Sequence, residues 1–237
     1  MQTLRLDNQI IWFDQTMIDE KQVQFAFDAD YWREKSCIVG SALGRGTTWF
    51  VQLDSAQAAL RHYRRGGLFS KLIEDSYWFN GEENTRSFQE LTLLNYLRES
   101  NVHVPRPIAA RVVKSGFTYR ADLLSEKVAD ARDLVAILKE KPLTKTMYQK
   151  IGNEIRKMHA AQINHTDLNI HNILIDGADK VWIIDFDKCY QQQGDTWKQG
   201  NWSRLKRSFE KEHLKNDIFW TSTEFSQMTN DKVNVDD

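Results

Sequence analysis

The sequence predicts an α+β fold of two lobes, a strand-rich N-terminal lobe with one main helix and a helical C-terminal lobe. Three observations carry this reading. Short β-type runs crowd the first half, at Cys37-Ile38-Val39, Trp49-Phe50-Val51, Val112-Val113, Phe117-Thr118-Tyr119 and Leu123-Leu124, and Ala58-Ala59-Leu60 extends the same sheet. One helix interrupts them over 87–98, where Leu91, Leu94 and Leu97 recur on a stripe beside Phe88. Past Glu126 the period becomes helical, and Met147, Ile151, Ile155 and Met158 fall on one face. The lobe boundary therefore belongs near Glu126 to Asp130, giving an N-terminal lobe over 1–126 and a C-terminal lobe over 127–237.

Composition narrows the class. The chain has 237 residues, 41% hydrophobic and 27% charged, which is enough length and apolar content to bury a core. A formal net charge of −1 gives no global field toward nucleic acid. Cys37 and Cys189 stand far apart in no metal-ligand or disulfide spacing, as expected of free thiols in a reducing compartment. No apolar run reaches the length of a spanning helix, and the first residues lack a signal-peptide layout. These features place the protein in the cytosol or on a membrane face reached from it.

The strongest local signal is His165-Thr166-Asp167-Leu168-Asn169-Ile170-His171-Asn172, followed by Asp185-Phe186-Asp187. It matches the kinase pattern H-x-D-L-x-x-x-N and then D-F-x. Asn172 to Asp176 and Val181 to Asp185 read as two strands around the loop 177–180. A bulge-free hairpin of that kind sets residue 172 directly opposite 185, with β-carbons about 5 Å apart. A carboxamide and a carboxylate so placed suit a hard cation such as Mg²⁺, making Asn172 and Asp185 the candidate metal residues. Asp167, just ahead of the hairpin, is the candidate to accept a hydrogen bond from an attacking hydroxyl. Phosphoryl transfer needs little more than positioning and charge neutralisation. A weaker alternative makes His165, Asp167 and His171 ligands of a metal hydrolase.

The nucleotide-binding residues are sought upstream. Leu43-Gly44-Arg45-Gly46-Thr47-Thr48-Trp49-Phe50-Val51 resembles the kinase glycine-rich loop, with Trp49 in the place of the third glycine. Gly44 and Gly46 are the candidate phosphate cradle. The strand lysine of kinases is replaced by Arg61, whose planar fork also suits phosphate, with Lys71 as the second candidate. Glu90 shares a helix face with Leu94 and Leu97, which points it inward and toward a cation such as Arg61. Ser87 and Glu90 also stand in capping-box spacing, the competing local explanation.

Together, Gly44-Arg45-Gly46, Arg61-His62-Tyr63-Arg64-Arg65-Gly66-Gly67, Thr85-Arg86-Ser87-Phe88-Gln89-Glu90, His165-Thr166-Asp167-Leu168-Asn169 and Ile184-Asp185-Phe186-Asp187 resemble the bacterial lipopolysaccharide kinase family, within the protein-kinase-like superfamily. The resemblance spans roughly 40–190. It implies a two-lobed protein-kinase-like fold and transfer of phosphate from ATP to the 4-hydroxyl of 3-deoxy-D-manno-octulosonic acid (Kdo) on a lipid A precursor. It further implies peripheral association with the cytoplasmic face of the inner membrane, and it puts the family's catalytic aspartate at Asp167. No A-P-E stretch follows Asp187, so a platform for a protein substrate is not expected.

From Trp197 to Lys215, Lys198, Arg204, Lys206, Arg207, Lys211 and Lys215 alternate with Trp202, Leu205 and Phe209 at helical spacing. Two readings fit: a helix lying on an anionic membrane surface, or a C-terminal-lobe helix with its apolar side in the core. A small-molecule kinase of the aminoglycoside phosphotransferase type and a non-catalytic nucleotide-binding module are the competing functions. The basic, aromatic tail speaks against the first of these, and intact Asp167, Asn172 and Asp185 speak against the second.

Overall fold

A computed structural model describes residues 1–44, 46–65 and 75–229. Arg45, Lys71, Gly66 and Gly67, all raised by the sequence, lie outside the described residues. The chain divides into two compact units, Met1–Asn95 with Pro105–Lys127, and Tyr96–Val104 with Val128–Asp237. The first is built on strands and the second mainly on helices, an α+β architecture.

In the first unit, β1 (Gln2–Leu6) and β2 (Gln9–Phe13) lead to two short helices, α1 (Glu20–Val23) and α2 (Ala29–Glu34). Asp19 and Asp28 cap them by accepting backbone N–H bonds. Then come β3 (Ile38–Leu43), β4 (Thr47–Gln52), β5 (Gln57–His62), β6 (Tyr77–Trp78), α3 (Arg86–Glu99), β7 (Pro107–Ser115) and β8 (Thr118–Glu126). The strands form one antiparallel sheet in the order β1-β2-β7-β8-β5-β4-β3, with β6 also on β8. The tight β7–β8 turn has Gly116 at φ 57°, the conformation a two-residue hairpin loop requires. Ile11, Phe13, Trp32, Val51, Leu60, Ile108 and Leu124 are buried together over one face of the sheet. Trp32 enters this core because its indole N–H donates to the Ala26 carbonyl at 2.8 Å, which satisfies the one polar atom it would otherwise strand. Leu91, Leu94 and Leu97 are buried, as the stripe on α3 predicts. Residues 1–36, with two strands and two helices, add a layer that the sequence reading did not assign.

In the second unit, β9 (Arg132–Asp133), α4 (Leu134–Leu138), α5 (Lys145–Ala160), β10 (Ile163–Asn164), β11 (Ile173–Ile175), β12 (Val181–Ile183), β13 (Tyr190–Gln191), α6 (Lys198–Asn216) and α7 (Ser222–Thr229) follow in order. Thr144 caps α5 by accepting from the Met147 N–H at 3.2 Å. The four periodic residues of α5 are buried as predicted. Gly152 lets α7 lie against α5, since a β-carbon there would stand 2.1 Å from the Met228 carbonyl oxygen.

One expectation is corrected here, and one pair of readings is separated. The β11–β12 register pairs Ile173 with Ile183 and Ile175 with Val181, so Asn172 stands opposite Ile184 and not Asp185. The turn is one residue shorter than expected because Asp176 pairs with Lys180 and closes a three-residue turn in which Asp179 takes φ 58°. The Asp176 carboxylate drives that turn by accepting from the Ala178 and Lys180 N–H groups, both at 2.9 Å. The pair of readings concerns α6. Leu205 and Phe209 are buried, and Trp202 and Phe209 meet Phe225 edge-on, so the aromatic side of this helix faces the core of its unit.

Candidate active site

The second unit holds the catalytic segment. Strand β10 delivers the chain to His165, whose side chain is fully buried. Its Nδ1 accepts from the Asp167 N–H at 3.3 Å, so Nε2 carries the proton and donates to the Ile184 carbonyl at 3.0 Å. Burial holds the imidazole below its ordinary pKa, hence neutral. Phe186 packs on the same ring at 4.8 Å between centroids. With both nitrogens engaged, His165 cannot ligate a metal, and His171 turns instead to Glu212 at 3.3 Å. The metal-hydrolase alternative fails on these contacts.

Asp167 is held at both ends of its peptide. Its N–H is bound by His165, and its carbonyl accepts from Asn169 Nδ2 at 2.9 Å and Asn172 Nδ2 at 3.0 Å. Its side chain stays exposed. Asn169 also accepts from the His171 N–H at 2.9 Å, capping the short 3-10 turn Ile170–Asn172. The backbone is thus fixed while the carboxylate is left available.

Asn172 is buried with its amide nitrogen committed to Asp167, which leaves the amide oxygen as the atom that could meet a cation. The Ile184 N–H donates to the Asn172 carbonyl at 3.0 Å, closing the hairpin one residue before Asp185. Asp185 then takes φ 64°, a left-handed conformation that aspartate tolerates at a cost of about 1 kcal/mol. The turn re-aims the chain directly after the strand, so Asp185 follows the bond between Ile184 and Asn172 through a bend and is not itself paired across the hairpin. Among the described residues no cluster of three or more His, Cys, Asp or Glu side chains could cage a metal. One amide oxygen and one carboxylate are a donor set that fits Mg²⁺, which takes few protein ligands and shares phosphates.

Helix α6 supports this segment through residues the sequence reading missed. Asn201, 4% exposed, accepts from the His165 N–H at 3.3 Å and from His159 Nε2 at 3.2 Å, and donates to Asn164 at 2.8 Å. Ser208 accepts from the Ile170 N–H at 2.9 Å, and buried Glu212 meets His171. Positions 201, 208 and 212 lie on one helix face, a polar stripe that spacing alone could have flagged inside an otherwise apolar side.

The first unit holds the other predicted residues. Arg61 on β5 forms an ion pair with Glu90 on α3, and Tyr63 donates to the same carboxylate oxygen at 2.5 Å. Glu90 is 4% exposed. Ser87 donates to the Arg111 carbonyl at 3.1 Å, so the capping box does not form. Tyr63, which enters the sequence pattern only within the arginine-glycine segment, stands two residues after Arg61, just past the end of β5. Gly44 and Gly46 lie between β3 and β4, where the Gly44 N–H donates to the Gly46 carbonyl at 3.0 Å. A β-carbon on Gly46 would come within 2.8 Å of the Arg64 side chain, so the glycine lets that arginine cross the loop.

A strand-rich unit with a glycine turn and a buried Arg–Glu pair, and a helical unit with an H-x-D-L-x-x-x-N loop and an ensuing D-F, define a protein-kinase-like phosphotransferase. Residues 29–230 match the lipopolysaccharide kinase (Kdo/WaaP) family. The chain is 62% identical to the 3-deoxy-D-manno-octulosonic acid kinase of Vibrio cholerae serotype O1, over 95% of this chain and 96% of that one. It is 62% identical to the enzyme of the same name from Vibrio parahaemolyticus, over 97% and 96%, and 46% identical to that of Haemophilus influenzae, over 97% and 98%. Among solved structures it matches the Cydia pomonella granulovirus kinase PK-1 at TM-score 0.45 and 14% identity, over 73% of this chain and 58% of that one. The chain belongs to the lipopolysaccharide kinase (Kdo/WaaP) family and is a phosphotransferase acting on a hydroxyl group. The aminoglycoside-phosphotransferase and non-catalytic alternatives give way to this assignment.

Proposed function

We propose that the protein transfers the γ-phosphoryl group of ATP to the 4-hydroxyl of Kdo on a lipid A precursor, in lipopolysaccharide core biosynthesis. The observation that carries this is Asp167, fixed through its N–H and its carbonyl with the carboxylate left open. That carboxylate accepts the hydrogen bond of the incoming hydroxyl and orients it, the positioning on which phosphoryl transfer chiefly depends. The names of the relatives supply the sugar.

Asn172 and Asp185 would hold Mg²⁺, which when bound neutralises charge on the phosphates. Gly44 and Gly46 would cradle the phosphates and Arg61 would contact them, with Glu90 and Tyr63 holding Arg61 in place. His165 ties the Asp167 backbone to Ile184, the residue before Asp185, so that base and metal residues keep one geometry.

The acceptor is an anionic lipid, and we place the protein peripherally on the cytoplasmic face of the inner membrane. No helix among the described residues is long and apolar enough to cross a membrane. With the aromatic side of α6 buried, the surface available for anionic headgroups is its outer side. There Arg204, Arg207, Lys211 and Lys215 are exposed beside Leu214, itself 88% exposed. Phosphorus NMR of the product of ATP and Kdo-lipid A precursor tests the reaction. Phosphate bonded at position 4 is expected, and phosphate elsewhere on the molecule overturns the assignment of the hydroxyl.

A further inference from the structure

Helix α6 has three sides with different duties. An α-helix turns about 100° per residue, so positions 201, 208 and 212 share one direction. These are the residues that bind the catalytic segment, at the His165 N–H, the Ile170 N–H and the His171 side chain. On one flank, Trp202, Leu205 and Phe209 turn to the core. On the opposite flank, Arg204, Lys211 and Lys215 are exposed and border the polar stripe directly. Lys206 lies away from the stripe, near Glu210 at 3.9 Å.

Arg204 has a particular place on that flank. It stands midway between Asn201, which holds residue 165, and Ser208, which holds residue 170. Those two helix positions are about 10 Å apart along the axis. The segment between the two anchor points contains Asp167, so Arg204 lies on the stretch of helix that runs alongside the segment carrying the exposed carboxylate. Among the described residues Arg204 makes no hydrogen bond or ion pair that would occupy its guanidinium.

We propose that Arg204 is the subsite for the carboxylate of the acceptor sugar, binding it through its two-pronged guanidinium while the reacting hydroxyl of the same sugar meets Asp167. This rests on the function proposed above. The chemistry fits in two ways. A fork of N–H donors matches a carboxylate and fixes orientation as well as distance. A cation there also offsets the repulsion between an acidic acceptor and the ATP phosphates. A phosphate on the lipid is the other anion with suitable chemistry, but it lies beyond the reacting sugar. Lys211 and Lys215, about two and three turns further along the helix, are better placed for it.

The test is steady-state kinetics with four proteins, wild type, Arg204→Gln, Arg204→Lys and Lys206→Gln, on Kdo-lipid A precursor, its sugar methyl ester and its dephosphorylated form. Arg204→Gln should raise the acceptor KM about 10- to 100-fold with kcat and the ATP KM unchanged, the loss of a charge-assisted hydrogen-bonded contact. Arg204→Lys should fall between, and Lys206→Gln should match wild type. On the methyl ester, wild type should already show the raised KM and Arg204→Gln should add nothing. The proposal is overturned if Arg204→Gln impairs acid and ester equally, if it leaves the acceptor KM unchanged, or if Lys206→Gln has the same effect. It is also overturned if the Arg204 effect vanishes on the dephosphorylated lipid and persists on the ester, because the anion is then the lipid phosphate. Failure of wild type to phosphorylate Kdo-lipid at all would instead remove the functional reading beneath it.

Discussion

Acidification should weaken the second unit through a histidine behind the catalytic segment. His159 on α5 is buried, and its Nε2 faces the Asn201 Oδ1 at 3.2 Å. Burial first, then Lys198 and Arg156, lowers its pKa to about 4. The unfolded chain restores it to about 6.5. Because the folded value is the lower one, the unfolded state takes up the extra proton, and stability falls as pH drops from about 6.5 toward about 4. Going from pH 7 to pH 5 should remove about 2 kcal/mol through this one residue. His159→Gln keeps a donor for Asn201 and loses the titration. Urea unfolding of both proteins at the two pH values gives the difference of differences. His165, neutral and buried, and His62, whose pKa the Asp122 hydrogen bond raises, are common to both proteins and cancel. Wild type should lose about 2 kcal/mol more than His159→Gln. An equal loss in the two would refute the argument that His159 is held neutral.

Other outcomes follow from the same contacts. Glu90→Ala should destabilise the first unit by about 3 kcal/mol, the lower end of the range for a broken buried pair because Arg61 is partly exposed, and should raise the ATP KM. Thermal unfolding with nucleotide titration checks both. Tyr63→Phe should do the same more weakly, by about 1.5 kcal/mol, since it removes one bond to a carboxylate that keeps its arginine. Ser208→Ala should lower kcat several-fold while ATP binding is retained, with rescue by Ser208→Thr; an unchanged kcat would show that the Ile170 anchor is dispensable. Replacing Arg207 and Lys211 by Gln should weaken sedimentation with anionic liposomes about thirtyfold, at about 1 kcal/mol per charge, and unchanged sedimentation would leave that side of α6 merely solvated.

How much of this could be read beforehand depended on how local each feature is. Asp167, Asn172 and Asp185 lie within twenty residues in an ordered motif, and their loop is held by bonds among near neighbours such as Asn169 and Asn172. The faces of α3 and α5 were legible because four-residue periodicity marks burial directly. The hairpin register was not, because one aspartate accepting two N–H bonds tightened the turn by one residue and shifted every pair by one. The orientation of α6 was also hidden. A basic, aromatic helix looks the same whether its rings meet lipid or Phe225 and Trp220, and only the fold brings those partners to it. Asn201 went unnoticed for a similar reason. Its spacing to Ser208 and Glu212 on one helix face was visible, but its partners His159, Asn164 and His165 converge on it only through the fold, from other elements.

The central claim is that Asp167 directs phosphate from ATP onto Kdo-lipid. Its most direct test is transfer of labelled γ-phosphate to purified Kdo-lipid A precursor by wild type and by Asp167→Asn, with a simple sugar and a generic protein as alternative acceptors. Wild type should label the lipid alone. Asp167→Asn should fold normally and bind nucleotide, since the bonds that hold this position involve its backbone, yet transfer at least about a hundredfold more slowly. Transfer by Asp167→Asn within about tenfold of wild type, or labelling of the generic protein in place of the lipid, would contradict the account.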